Sequence, residues 1–273
     1  MKISSVPKTV GKSYKIKGKC QMFKLNDKVA IVTGSGSPKG IGRNIALTLA
    51  KQGATIIVAD LNVEGIQSTV QAIEDIGVKA LGVELNVTDK DSVEAMVEKV
   101  VDKFGRIDIL VNNAGITQKV TVEDMTLEDI TKVFSVNMFG LFLCSQAVLK
   151  TMKEQKFGRI ISLSSVSAKR GGGVFGGAHY SASKAAVLGF SKNLAREVAK
   201  DGITVNCVAP GLINTDIWKS LPEEDAKKVI DGIPLGRPGE TDEISSTIAF
   251  LASEEASYIT GEDIDINGGS HMD

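Results

Sequence analysis

The sequence predicts an α/β protein built on a doubly wound parallel sheet, folded as a single domain. Three observations indicate this. Short apolar, β-branched runs alternate with helical stretches along the chain. A glycine-rich loop separates the first apolar run from the first helix, and an aspartate ends the second run. No composition break divides the chain after residue 24, so we expect residues 25–273 to form that one domain.

The predicted elements follow one another regularly. Buried strands show as continuous apolar runs, and helices as longer stretches with apolar residues on one side. The predicted strands are Val29–Thr33, Thr55–Asp60, Ala80–Leu85, Ile109–Asn112, Arg159–Leu163, Ile203–Val208 and Asp263–Ile266. The predicted helices are Arg43–Lys51, Val63–Ile76, Lys90–Phe104, Leu127–Met152 with a break near Gly140, Ala182–Val198 and Glu240–Ala252.

The composition excludes several classes of function. A formal net charge of −1 offers no basic field for nucleic acid or an anionic membrane. Three widely spaced cysteines suggest neither a disulfide framework nor a zinc site, and they fit the reducing cytoplasm. With two histidines in the chain, we expect no histidine-built metal site. No apolar run approaches the length of a membrane span, so a transmembrane helix is not expected.

Residues 1–24 differ from the rest, with seven lysines and no acidic residue. We expect a disordered basic extension, because such a segment cannot bury enough apolar surface to fold. Met22 is an alternative start of translation. Residues 212–238 also break the pattern, with an irregular helical composition just after a strand. Ligands of open α/β sheets bind beyond the carboxyl ends of strands, so we expect residues 212–238 to form a substrate lid.

The loop after the first strand is the candidate dinucleotide site. Glycines allow the backbone to approach a pyrophosphate, whose charge faces the N-terminus of the next helix. Asp60 can accept hydrogen bonds from the ribose hydroxyls and would repel a 2′-phosphate, which favours NAD(H). Lys39, in the same loop, could pair with a 2′-phosphate and leaves NADP(H) open. The loop residues predicted to hold the cofactor are Gly34, Ser37, Gly40, Ile41 and Gly42.

Tyr180 and Lys184 form the candidate acid/base pair. Residues four apart lie on one face of a helix, so the ammonium can sit beside the phenol. Two unit charges 4 Å apart interact by roughly 4 kcal/mol at an effective dielectric of 20, which corresponds to a pKa shift of about three units. We therefore expect Lys184 to lower the pKa of Tyr180 towards neutrality. Alone, this spacing also fits an ordinary surface helix.

Taken together, these motifs resemble the classical short-chain dehydrogenase/reductase family from about Leu25 to Gly269. In chain order the matching motifs are Thr33-Gly34…Gly40-Ile41-Gly42, Asn112-Asn113-Ala114-Gly115, Asn137, Ser165, Tyr180/Lys184 and Pro210-Gly211. The resemblance implies a Rossmann-type domain with a seven-stranded sheet, a homotetramer or homodimer, and oxidoreduction of an alcohol/carbonyl pair by NAD(P).

The resemblance also implies roles for individual residues. Tyr180 matches the acid/base, Lys184 the lysine that holds the nicotinamide ribose, and Ser165 the serine that binds the substrate oxygen, in preference to Ser164. Asn137 matches the asparagine that holds a water in the proton relay; its other interpretation is a buried amide that satisfies a carbonyl. The further positions matched to cofactor binding are Leu61, Asn86, Val87, Asn113, Ala114, Gly115, Pro210, Gly211, Ile213 and Thr215.

The sequence departs from the family pattern in two places. The glycine loop has two residues more than usual, and so has the interval from Ser165 to Tyr180, where five glycines accompany the extra length. The overall pattern resembles 3-oxoacyl-acyl-carrier-protein reductases, yet that subgroup usually prefers NADPH, which conflicts with Asp60. We therefore place an NAD-linked dehydrogenase of a small polar alcohol or sugar first. The acyl-carrier reductase is the alternative, and a non-catalytic dinucleotide-binding protein is the third.

Overall fold

A computed structural model describes residues 22–172, 175–215 and 223–272. Most of the predicted N-terminal extension, and residues 216–222 of the predicted lid, lie outside the described residues. The strands are β1 (Val29–Thr33), β2 (Thr55–Asp60), β3 (Ala80–Glu84), β4 (Ile109–Asn112), β5 (Gly158–Leu163), β6 (Ile203–Pro210) and β7 (Asp263–Ile266). They form one seven-stranded sheet in the order β3-β2-β1-β4-β5-β6-β7, and every pairing is parallel. The predicted sheet is confirmed.

The predicted helices are present; Lys90–Phe104 has the predicted bounds, and the others have at least one shifted end. The helices are α1 (Ile41–Lys51), α2 (Val63–Glu74), α3 (Lys90–Phe104), α4 (Leu127–Phe134), α5 (Leu141–Gln155), α6 (Val166–Arg170), α7 (Ala178–Val198), α8 (Glu223–Asp231) and α9 (Thr241–Ala252). α7 begins four residues earlier than predicted, so Tyr180 lies in its first turn. α6 was not predicted, because five residues are too few to show a helical period.

Helices cover both faces of the sheet, which gives the three predicted layers. On one face α1, α2 and α9 pack through Leu49, Ile73 and Ile248 against alternate residues of the central strands. On the other face α3, α5 and α7 pack through residues such as Met96 and Val148. Since both sides of β1 face a helical layer, all five of its residues are buried. This explains why its sequence is continuously apolar rather than alternating.

The order of the strands in the sheet determines where the candidate site lies. The chain leaves β1 in one direction along the sheet and returns to the other side of β1 with β4. The loops after β1 and β4 therefore diverge and leave a crevice between them at the carboxyl edge. The glycine loop follows β1, the Asn112-Asn113-Ala114-Gly115 motif follows β4, and Ser165 follows β5.

The helical stretch Leu127–Gln155 is interrupted, as predicted near Gly140, by a π-helical segment over Ser135–Gly140. By length and mean hydropathy alone, 1.4 in its most apolar window, this stretch could cross a membrane. Its buried residues Cys144, Val148 and Met152 instead pack into the core beneath the sheet. We therefore assign it as a core helix of the α/β domain.

Candidate active site

The glycine loop forms a cradle of bare backbone. Gly34 has φ +67°, a conformation that L side chains rarely adopt, and a Cβ there would lie 2.8 Å from the Cα of Ala114. A Cβ on Gly42 would lie 2.2 Å from the Gly34 carbonyl oxygen. Because the N-cap of α1 is Gly40, which offers no side-chain cap, the first amides of the helix remain available to an anion. This cradle fits the pyrophosphate of a dinucleotide.

Asn113 fastens the β4 motif to that cradle. Its side-chain amide donates hydrogen bonds of 2.9 Å to the carbonyl oxygens of both Thr33 and Gly34. The backbone amides of Asn113 and Ala114 donate to the Thr33 hydroxyl, each at 3.1 Å. The two loops on either side of the crevice therefore hold a fixed spacing. In this structure Asn113 and Ala114 position the cradle through these bonds.

Asp60 is tied to the glycine loop from the other side. Its Oδ2 accepts a 2.8 Å hydrogen bond from the Gly36 amide, and its Oδ1 accepts one of 3.0 Å from the Asn62 amide. The neighbouring Leu61 is largely exposed. Sequence reasoning missed Gly65 of α2, where a Cβ would lie only 1.9 Å from the Gly36 carbonyl oxygen. Gly65 thus lets α2 approach the loop closely enough for Asp60 to hold it.

Ser165 and Tyr180 meet at the end of β5. Ser165 caps α6, and its hydroxyl accepts a 3.1 Å hydrogen bond from the Ser167 amide. Ser165 and Tyr180 line the same cleft, and the Ser165 hydroxyl is close enough to lower the pKa of the Tyr180 phenol. Ser164 points elsewhere, donating to the Lys184 carbonyl oxygen at 3.0 Å. The two hydroxyls expected to bind one substrate oxygen, those of Ser165 and Tyr180, therefore lie in the same cleft. Ser164 instead contacts the backbone of α7.

The predicted effect of Lys184 on the tyrosine was wrong for the chain by itself. Burial raises the pKa of Tyr180 above its ordinary value, and the hydrogen bond from Ser165 only partly opposes this. Lys184 is buried, and its ammonium donates a 2.7 Å hydrogen bond to the Leu163 carbonyl oxygen. Burial lowers the pKa of Lys184 to about 8. The expectation from the sequence considers two charges 4 Å apart and leaves out desolvation, which is the largest effect on the pKa of Tyr180.

Asn137 lies in the π-helical segment, directly below the β4 motif. Its Oδ1 accepts a 2.8 Å hydrogen bond from the Ile116 amide, and its amide donates to the Ile116 carbonyl and to Ser183, each at 3.0 Å. Both interpretations of this residue therefore have support. It satisfies a buried carbonyl, and a Cβ on Gly115 would lie within 3.4 Å of both its Oδ1 and the Lys184 ammonium. The bare Gly115 thus leaves open the space between the two groups.

One cleft of about 620 Å³ brings most of the predicted residues together. The predicted residues that line it are Gly34, Ser37, Gly40, Ile41, Gly42, Asn113, Gly115, Ser165, Tyr180, Lys184, Pro210, Gly211, Ile213 and Thr215. Those that do not are Asp60, Leu61, Asn86, Val87, Ala114 and Asn137. The lining residues that sequence reasoning missed include Ile116, Thr117, Phe175 and Val229. They come from loops and from α8, where no motif marks them.

Asn86 and Val87 lie beyond β3, and their contacts in the structure are with neighbouring parts of the chain. The Asn86 side-chain oxygen accepts hydrogen bonds from the amide and hydroxyl of Thr88. Val87 is buried, and a Cβ on Gly140 would lie 2.7 Å from it. Both residues bring the start of α3 close to the π-helical segment. Their predicted contact with adenine stays a prediction.

A glycine cradle at a topological switch point, with a paired serine and tyrosine beyond it, defines an oxidoreductase that binds a nicotinamide dinucleotide. A family profile described as enoyl-(acyl carrier protein) reductase matches residues 34–271. The chain therefore belongs to the short-chain dehydrogenase/reductase family. It is an enzyme acting on CH–OH groups, so the non-catalytic alternative is set aside.

Several characterised relatives align along nearly their whole length. The chain is 46% identical over 246 residues, 90% of this chain and 98% of the relative, to the 3-oxoacyl-[acyl-carrier-protein] reductase FabG of Escherichia coli. It is 41% identical over 248 residues, covering 91% and 98%, to the (2S)-[(R)-hydroxy(phenyl)methyl]succinyl-CoA dehydrogenase subunit BbsD of Thauera aromatica. A solved structure titled "Crystal structure of gox2181" superposes with a TM-score of 0.87 at 37% identity, covering 91% of this chain and 97% of that one.

Proposed function

We propose that this enzyme reduces 3-oxoacyl groups carried as thioesters to the corresponding 3-hydroxyacyl groups. The observation that carries the proposal is the similarity, at 41–46% identity, to relatives named for acyl-carrier-protein and CoA thioesters. The hydroxyls of Ser165 and Tyr180 line one cleft, and this supports a carbonyl rather than a carbon–carbon double bond. Two such donors that converge on one oxygen stabilise a developing alkoxide.

Each residue of the site has a separate role in the proposed reduction. Ser165 and Tyr180 donate hydrogen bonds to the ketone oxygen and fix its position. Because burial raises the pKa of Tyr180, its hydroxyl keeps its proton at neutral pH and can transfer it to the forming alkoxide. A bound nicotinamide dinucleotide supplies the hydride. The buried Lys184 ammonium and the Asn137 oxygen line the path by which Tyr180 would regain its proton.

The proposed cofactor is NAD(H). Asp60 is the supporting observation, because a fixed carboxylate at the end of β2 would repel a 2′-phosphate. Lys39 lines the cleft near the loop and opposes this preference. The test is steady-state kinetics with NADH and NADPH on the wild type, Asp60→Ala and the control Asp102→Ala, which removes an exposed acid from α3.

We expect the wild type to favour NADH by about 10- to 100-fold in kcat/KM, the effect of one close like-charge pair. Asp60→Ala should lose most of that preference, whereas Asp102→Ala should keep it. A wild type that works better with NADPH would refute the argument from Asp60.

The second candidate is an NAD-linked dehydrogenase of a small polar alcohol or sugar, favoured by the same aspartate. A panel containing a 3-oxoacyl thioester, small ketones and sugar alcohols separates the two. Turnover confined to the alcohols would replace the thioester proposal.

We also propose a homodimer or homotetramer in the cytoplasm. Large apolar side chains of the helical stretch Leu127–Gln155 are exposed, among them Leu127 (76%), Phe139 (53%) and Phe142 (39%). A second copy that covers them would remove this surface from water. The two buried thiols, Cys144 and Cys207, are compatible with a reducing compartment. Sedimentation would test the oligomer, and fractionation of cells would test the compartment.

A further inference from the structure

Among the residues that the structure describes, the charged ones that line the main cleft are all cationic. They are Lys39 at the glycine loop, Lys184 beside Tyr180, and Arg170 at the end of α6. None of its described lining residues is an aspartate or glutamate. Uniform positive charge in a partly enclosed space concentrates anions. Lys39 and Lys184 lie on the side where the dinucleotide phosphates and ribose would bind, and that role leaves Arg170 unexplained.

Arg170 lines the same cleft as Ser165 and Tyr180. Ser165 caps the start of α6 and Arg170 ends that helix, so five residues of helical rise, about 7.5 Å, separate their backbones. Both residues line the same cleft as Phe175 and Val229. The Arg170 side chain is exposed, and its guanidinium donates a 3.1 Å hydrogen bond to the Ser270 carbonyl oxygen. Across residues 22–172, 175–215 and 223–272, no carboxylate forms an ion pair with it.

A guanidinium carries five N–H donors in a planar fork, and the bond to Ser270 uses one of them. The remaining donors match the two oxygens of a carboxylate or phosphate. Since the guanidinium is permanently charged and none of the described residues that line the cleft is acidic, an anionic ligand is the partner that fits it.

We propose that Arg170 is a specificity-determining residue that binds an oxyanion on the substrate, on the far side of Ser165 and Tyr180 from the cofactor. The oxyanion is either a phosphate of the thioester carrier or a carboxylate on a small oxo acid. This inference rests on the proposed ketone reduction. It adds that substrates bearing this charge are selected over neutral ketones of the same shape.

A purely structural role is the competing explanation. The bond to Ser270 ties the C-terminal segment to α6, and a cation is favourable at a helix C-terminus. Loss of that role would lower stability and would affect all substrates alike. The two explanations therefore differ in the ratio of activities on charged and neutral substrates.

The experiment compares two substrate pairs under NADH. One pair is acetoacetyl-CoA and the neutral acetoacetyl thioester of N-acetylcysteamine. The other is levulinate and its methyl ester. The charged-to-neutral ratio of kcat/KM is measured for the wild type, Arg170→Gln, Arg170→Lys and the matched control Arg196→Gln, which removes an exposed arginine from α7.

We expect Arg170→Gln to lower the ratio about 10- to 100-fold in one of the two pairs, mainly through KM, as for the loss of a charge-assisted hydrogen bond. The pair that responds identifies the phosphate or the carboxylate. Arg170→Lys should retain part of the ratio, because it keeps the charge but loses the fork. Arg196→Gln should leave it unchanged.

The wild type alone provides a second test that needs no variant to fold. Its charged-to-neutral ratio should fall in at least one of the two pairs as salt is raised, because screening weakens an exposed ion pair. A ratio that neither Arg170→Gln nor salt moves in either pair, while the neutral ketones are still reduced, overturns the inference about Arg170 alone. A wild type that reduces none of the four ketones overturns the proposed function with it.

Discussion

Replacing Gly65 by alanine should damage cofactor binding, although Gly65 does not line the main cleft. A Cβ at this position would lie 1.9 Å from the Gly36 carbonyl oxygen, and 2.7 Å from the Gly36 carbonyl carbon. Ordinary carbon contacts lie near 3.5–4.0 Å, so either α2 or the glycine loop must move by about 1.5 Å. That displacement is large beside the 2.8 Å hydrogen bond that joins the Gly36 amide to Asp60.

Two consequences follow from a shift of this size. Forced overpacking costs about 1–3 kcal/mol, which lowers the melting temperature of a protein of this size by several degrees. A displacement of about 1 Å at a binding loop can cost about 100-fold. We therefore expect the Kd for NADH to rise by about 10- to 100-fold in Gly65→Ala, with a smaller change in kcat once cofactor saturates.

The assay is a fluorescence titration of NADH, together with thermal unfolding. Gly189→Ala is the matched control, because Gly189 lies exposed in α7 and a Cβ there would meet no atom within 4 Å. Alanine in an open helical site should be neutral or stabilising by about 0.5–1 kcal/mol. If Gly65→Ala bound NADH within twofold of the wild type, the close approach of α2 would not control the glycine loop.

Two further predictions concern the acid/base pair. Tyr180→Phe should lower kcat by about 10²- to 10⁴-fold, the usual contribution of a positioned acid, while NADH still binds; near wild-type turnover would remove Tyr180 from the mechanism. Burial lowers the pKa of Lys184 to about 8, so its positive charge is present below that pH and lost above it. The affinity of the enzyme for NADH should therefore fall as pH rises through about 8. In Lys184→Arg it should stay level, because a guanidinium keeps its proton; an unchanged pH dependence in that variant would assign the titration to another group.

Much of the fold was readable from the sequence because the central strands β1, β4, β5 and β6 are buried on both faces. β1, β2, β4 and β7 have the predicted bounds. For β1, β2 and β4 the signal is a mostly continuous apolar run, as expected of strands covered on both faces. Helix ends were less certain. The start of α7 was missed because its first residues, Ala178 and His179, carry no capping signal, and Gly177 forms the N-cap without a side-chain bond.

The residues of the candidate site also fall into those that the sequence predicts and those that only the structure shows. Tyr180 could be proposed from its spacing to Lys184, and Ser165 from its resemblance to a family motif. The fold places both in one cleft. Residues whose role depends on the close approach of two elements could not be proposed from the sequence. Gly65 lies in an ordinary helical sequence, and only its 1.9 Å approach to the glycine loop shows its part. The proposed role of Arg170 likewise depends on the structure, because it follows from the absence of acidic residues among the described residues that line the cleft.

By itself, the sequence determined the layered α/β architecture, the dinucleotide loop and the Tyr180/Lys184 pair, because periodicity and short motifs are local properties of a chain. Tertiary structure alone decided the electrostatics of that pair. A pKa depends on which groups surround the ionisable atom and how far water is excluded, and those groups come from distant segments. Burial raises the pKa of Tyr180, and Lys184 directs its ammonium to the Leu163 carbonyl oxygen. No spacing rule contains either fact.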